Sequence, residues 1–136
     1  MKLFLDTNVI LDLLGKREPF VKDAAAIVSL ADKGAVSLVV SALSYSTTDY
    51  FLKKILSPSK SIENLRKFRT ISEVVPLDDI IIDKSLNSNF SDFEDGLQYY
   101  SALKANCEFI ITRNAKDFKQ SDLTVLTPQE FLALNK

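Results

Sequence analysis

The sequence predicts a three-layer α/β/α sandwich around a central, mostly parallel sheet. Two observations carry that prediction. Short apolar strand segments alternate with amphipathic helical segments along all 136 residues, the pattern of successive strand–helix–strand units. One of the strands, Val36 to Val40, is a β-branched apolar run, the look of a parallel strand covered on both faces.

Taken in order, Leu3 to Leu5 is a strand entering Asp6-Thr7-Asn8, whose polar side chains can cap a helix through about Leu14. Gly15 ends that helix, and Pro19 sits near the first turn of the next, which runs to about Lys33 with Ala24, Ala25, Ile27, Val28 and Ala31 as its buried stripe. Gly34 closes it before the Val36 strand. Ser41 to about Leu56 and Ser61 to about Thr70 read as two helices separated by a break at Ser57-Pro58-Ser59. Glu73 to Pro76 is a short strand, and Asp78 or Asp79 caps a helix through about Leu86. Asn87 to Ser91 is a polar loop, after which Asp92 caps a helix to about Asn106. Phe109-Ile110-Ile111 is the fourth strand, Thr112 to Phe118 a loop or short helix, and Leu123 to Leu126 the last strand. Thr127-Pro128-Gln129-Glu130 is a capping box with proline at the first helical position, opening the terminal helix.

The composition bounds the chemistry. With 46% hydrophobic and 26% charged residues, the chain fits one soluble domain over residues 1–136. Its 17 basic and 18 acidic residues give a net charge of -1, against a generally basic nucleic-acid-coating protein. The single cysteine, Cys107, excludes an internal disulfide and reads as a small core residue. Three apolar residues before Asp6 are too few for a signal peptide, and no stretch approaches a membrane span, so a cytoplasmic location is expected. There is no histidine. Ser-His-Asp triads, Cys-His dyads and histidine-bearing zinc sites are thereby excluded.

In open parallel sheets the ligand site lies at the carboxyl ends of the strands, which directs attention to Asp6-Thr7-Asn8 and Thr112-Arg113-Asn114. Asp6 is either a plain helix cap or a ligand for a hard divalent cation. Asp92-Phe93-Glu94-Asp95 places three acids at a helix start, where one or two suffice to complement the helix dipole; the excess charge points to a bound cation. In the loop after the fourth strand, Asn114 and Asp117 can offer oxygens to a metal, while Thr112 and Arg113 can hold a phosphate. An ordinary polar loop is the alternative.

Three motifs in this order and spacing resemble the PIN-domain family, which includes the VapC-type ribonuclease toxins: Leu5-Asp6-Thr7-Asn8-Val9-Ile10-Leu11-Asp12, Asp92-Phe93-Glu94-Asp95-Gly96-Leu97-Gln98, and Ile111-Thr112-Arg113-Asn114-Ala115-Lys116-Asp117-Phe118. The closing Leu126-Thr127-Pro128-Gln129-Glu130-Phe131-Leu132 is similar to the family's tail. The resemblance implies a metal-dependent endoribonuclease that hydrolyses RNA, with Mg2+ or Mn2+ held by acids at the sheet's carboxyl edge, and an antitoxin protein as partner. Residue by residue, Asp6 matches the first family acid and Asp95 the third, the fourth falls at Asn114 or Asp117, and Asp92 is an extra acid supporting the site. The family's second acid, a glutamate, has no match: its position falls nearest Thr47, and Asp49 lies two residues on. Either a register change turns Asp49 inward, or Thr47 and a water stand in. The competing expectation is therefore a non-catalytic PIN-fold module with an eroded metal site, binding RNA or a protein.

Charge is unevenly spread. Lys53, Lys54, Lys60, Arg66, Lys67 and Arg69 form a basic stretch, either a solvated helical face or a track for RNA phosphates. Tyr45, Tyr50, Phe51, Leu52, Ile55 and Leu56 give the third helix more apolar surface than one core face needs, as core packing, a homodimer seam or a groove for a partner protein. Tyr99 and Tyr100 face different sides of their helix, and one of them is a candidate to stack a base.

Overall fold

A computed structural model of the chain describes residues 1–134. Five strands form one sheet: β1 (Lys2–Leu5), β2 (Ser37–Ser41), β3 (Ser72–Val75), β4 (Phe109–Ile111) and β5 (Thr124–Leu126). They lie in the order β3-β2-β1-β4-β5, and every neighbouring pair is parallel. The helices are α1 (Thr7–Leu14), α2 (Val21–Asp32), α3 (Ala42–Ile55), α4 (Pro58–Arg69), α5 (Asp79–Leu86), α6 (Phe93–Lys104) and α7 (Pro128–Leu134), with a 3-10 turn at Ala115–Phe118. The expected α/β/α sandwich with a parallel sheet is what the chain forms.

The central strands are covered on both faces, which is why they read as unbroken apolar runs. Leu3, Leu5, Leu38, Val40 and Ile111 point to one side, packing with Val9, Ile10, Ile27, Phe68 and Phe131. Phe4, Val39 and Ile110 point to the other, against Ile81, Leu97, Ala102 and Phe118. Cys107 belongs to this second cluster, where burial pushes its thiol up to about 12 and keeps it inert.

Local sequence explains most helix ends. Asp6, Ser41, Ser57, Asp78 and Asp92 cap α1, α3, α4, α5 and α6, each accepting a bond from a backbone N–H in the first turn. The Ser57-Pro58-Ser59 stretch is thus the opening of α4 rather than a gap before it: Ser57 Oγ accepts from Lys60 N–H at 3.2 Å, and Pro58 takes the first turn, where its missing N–H costs nothing. Pro19 lies before α2 rather than in its first turn, since that helix starts at Val21. Gly34 follows α2 with φ +77, a conformation in which a side chain would be strained.

The capping box closes as read from the sequence. Glu130 N–H donates to Thr127 Oγ1 at 3.1 Å, and Thr127 N–H donates to Glu130 Oε1 at 2.9 Å. Replacing Thr127 with alanine is expected to cost about 1 kcal/mol, read as a lowered Tm in thermal unfolding; an unchanged Tm would show that Phe131 packing alone holds α7.

Candidate active site

Beyond β1 the chain turns through α1 and α2 toward β2 and β3 on one side, while β4 and β5 extend on the other. The strand order therefore reverses between β1 and β4. At such a switch point the loops leaving two neighbouring strands diverge and open a crevice at their carboxyl ends. The residues placed there are Asp6, directly after β1, and Thr112, directly after β4.

Asp6 is at once helix cap and candidate site residue. It is 9% exposed, and its carboxylate accepts from Thr7 N–H at 2.8 Å and from the Thr112 hydroxyl at 2.8 Å. Asn8 Nδ2 braces the pair, donating to Thr112 Oγ1 at 3.2 Å and lying 3.4 Å from Asp6 Oδ2. Burial raises the Asp6 carboxyl above the ordinary value; bonds from Thr112, Thr7 and Gln98 oppose that, and the Asp117 charge adds to it.

Asp95, in the first turn of α6, is half-buried. Its carboxyl is pushed up to about 7, first by desolvation and then by the charges of Asp92, Asp6, Asp117 and Glu94. Four acids act on one carboxyl because the β1–β4 crevice and the start of α6 meet. Asp92 stands at the rim as the N-cap of α6, its Oδ1 accepting from Glu94 N–H at 2.9 Å. Asn114 and Asp117 are exposed on the loop after β4. Asn114 N–H donates to Thr112 Oγ1 at 3.0 Å, and Asp117 N–H donates to the Asn114 carbonyl at 3.0 Å.

Thr112 and Arg113 are not free to hold a phosphate as the sequence suggested. The Thr112 hydroxyl is buried against Asp6, and the Arg113 guanidinium is bound to Asp12 on α1. Both groups satisfy a buried carboxylate instead, because a charge removed from water needs partners.

Behind the acids lies a buried polar seam that the sequence reading did not find. Thr7 Oγ1 and Ser44 Oγ are 2.8 Å apart, and Gln98 Nε2 donates to both, at 3.1 and 3.0 Å. Gln98 is one helical turn after Asp95 and so faces the same way; that three-residue spacing was the available signal. Glu94, the third acid of the Asp92–Asp95 cluster, has its carboxyl raised by burial and by Asp92 and Asp6.

On α3 it is Ser44 that faces Thr7 and Gln98, and Thr48 lies buried on the same side. Asp49 sits about 140° around the helix from Ser44, and its Oδ1 accepts from Ser61 Oγ on α4 at 2.7 Å. The inward turn of Asp49 does not occur. Tyr99 is buried against Phe90 and accepts from Asp122 N–H, which leaves Tyr100 as the partly open ring of the pair.

The donor set is all oxygen. Among the described residues no three Asp, Glu or Cys side chains are arranged to cage a metal by themselves. Magnesium does not require such a cage: it keeps several waters and is held by one or two carboxylates together with substrate phosphate oxygens. Carboxyls raised first by burial and then by neighbouring acids, Asp117 for Asp6 and Asp92, Asp6, Asp117 and Glu94 for Asp95, are groups whose ionised forms a divalent cation favours. The residues fit a hard divalent ion.

Comparison with known proteins agrees with the geometry. A family model described as PIN domain matches residues 2–116. Ribonuclease VapC1 of Aquifex aeolicus (strain VF5) is 31% identical over 135 residues, covering 96% of this chain and 92% of that protein. Two solved structures share the fold. A toxin-antitoxin complex from Klebsiella pneumoniae has TM-score 0.70 at 21% identity, covering 93% of this chain and 97% of that one. VapBC-1 from nontypeable Haemophilus influenzae has TM-score 0.68 at 20% identity, covering 95% and 99%. From the parallel sheet, the acids at its switch point and a family match over residues 2–116, the chain belongs to the PIN-domain family.

Proposed function

We propose that the chain is a divalent-metal-dependent endoribonuclease, hydrolysing phosphodiester bonds of single-stranded or structured RNA, and that it acts in the cytoplasm as the toxin of a toxin–antitoxin pair. The observation that carries this reading is the convergence of acids at the carboxyl edge of β1 and β4, where Asp117 acts on buried Asp6, and Asp92, Asp6, Asp117 and Glu94 act on Asp95. The likeness to Ribonuclease VapC1 supports the substrate class.

In this reading Asp6, Asp95, Asn114 and Asp117 hold Mg2+ or Mn2+. A bound ion of this kind supplies Lewis-acid activation of the phosphate and of the attacking water. Asp6 is kept in one orientation by Thr7 and Thr112, so it loses little further conformational freedom on holding an ion. Asp92 at the rim, or Asp95, receives the proton lost by water, the role otherwise given to a histidine.

The basic stretch on α3 and α4 supplies phosphate contacts. Arg69 is already committed, donating to the Ser72 carbonyl at 2.9 Å, and Lys54 lies over the Tyr50 ring. Lys67 pairs with Glu63 at 3.5 Å, and Lys53, Lys60 and Arg66 remain for the track. Tyr50, Phe51, Ile55 and Leu56 on α3, with Ile62 on α4, are exposed together and form the surface for a second copy of the chain or for an antitoxin. Tyr45 is not part of it, since its hydroxyl bonds Ser72 Oγ and its ring packs on Phe68.

Incubating the protein with single-stranded RNA is expected to give cleavage with manganese and none with a chelator. Binding should weaken steeply with added salt, by about one decade per decade of salt for each phosphate neutralised. A second reading, a PIN-fold binding module, is favoured by α3, which turns Ser44 and Thr48 rather than a glutamate toward the seam. It predicts RNA binding with the same salt slope, no cleavage, and no rise in Tm on adding magnesium or manganese.

A further inference from the structure

Asp12 lies on α1, outside the acidic crevice, and the reading above gives it no task. Its side chain is only 1% exposed, yet it is a carboxylate, and it meets two arginines. Arg17 Nε donates to Oδ1 at 2.9 Å. Arg113 Nε donates to Oδ2 at 2.6 Å, and its Nη2 donates to Oδ1 at 3.2 Å. A two-pronged arginine contact of this kind fixes direction as well as distance.

The two arginines come from different places. Arg17 belongs to the turn after α1, and its Nη2 donates to the Asn8 carbonyl at 3.3 Å. Arg113 belongs to the loop after β4, between Thr112, which bonds Asp6, and Asn114. Its guanidinium stacks on Phe20 at 3.8 Å, and its backbone N–H donates to Asn8 Oδ1 at 3.3 Å. The Arg113 arm therefore ends in the loop that carries Asn114 and Asp117, and the Arg17 arm does not.

We propose that Asp12 is a positioning residue: by clamping Arg113 it holds the Thr112–Asp117 loop against Asp6 and so presents Asn114 and Asp117 at the crevice. Asp12 touches neither substrate nor metal and acts through Arg113. The inference rests on the acidic site being the working site, but the clamp itself is measurable without metal.

The test compares Arg113→Met with Arg17→Met. Each variant takes one arginine from the same buried carboxylate, so a merely structural role would make them behave alike. In metal-free protein, hydrogen exchange of the Asn114 and Asp117 amides is expected to rise about 10-fold in Arg113→Met and to stay near wild type in Arg17→Met. The manganese concentration that gives half of the Tm shift is expected to rise about 10-fold or more in Arg113→Met alone, the usual scale for a lost outer partner of a metal ligand. Asp12→Asn, where it folds, should follow Arg113→Met. Equal exchange at both amides in the two arginine variants would overturn the proposal. If wild type takes up no manganese while the amide contrast holds, the metal assignment fails and the clamp stands.

Discussion

Asp6→Asn is expected to lower manganese-dependent cleavage of single-stranded RNA by about 10²–10³-fold in kcat, the scale on which removing one group that stabilises developing charge is felt. The same variant should fold as well as wild type. Asparagine is as good an N-cap as aspartate, and its Oδ1 can still accept from Thr7 N–H. Loss of a carboxylate that burial already disfavours should leave the Tm equal or higher. Activity assays paired with thermal unfolding check both halves. Cleavage within about twofold of wild type, a difference near 0.4 kcal/mol in barrier, would remove Asp6 from the site.

Asp95 gives the second large effect, on stability as a function of pH. Its folded carboxyl titrates at about 7, against 3.8 without the fold, so between those values the folded protein holds a proton that the unfolded chain has lost. Stability contributed by the protonated group is full below about 4 and is lost as pH rises toward and through 7. Asp6 and Glu94, also raised, act in the same direction. Metal-free protein should therefore melt lower at pH 8 than at pH 5, and Asp95→Asn should flatten the slope and raise the Tm at pH 8. Asp95 is half-buried, so solvent screening limits the change to a few degrees. Manganese should restore wild type at pH 8 and act little at pH 5, because only the ionised carboxylates bind it. A Tm that rises with pH in the absence of metal would contradict the crowding of charge around Asp95.

The legible parts of the site and the hidden ones differ in the length of chain their interactions span. The caps at Asp6, Asp78 and Asp92 and the box from Thr127 to Glu130 involve bonds across one to three residues. They are written in residue type and spacing, and the sequence showed them without help. Pro58 reads as a break because a serine before a proline signals both a turn and a helix start; α4 settles it by packing Leu65 and Phe68 inward.

The alternation of strands and helices, the burial of the central strands and the exclusion of histidine chemistry are all written in residue order and composition. Which groups meet depends on the packing of segments far apart in the chain. Setting β4 beside β1 joins Asp6 to Thr112 across 106 residues and Asp12 to Arg113 across 101, turning a presumed phosphate binder into the partner of a buried acid. It also set Gln98 between Thr7 and Ser44 and turned Asp49 to Ser61. The reason is physical: a cap is satisfied by its own helix, whereas a buried carboxylate or amide is satisfied only by whatever strand order and helix packing bring within hydrogen-bonding reach.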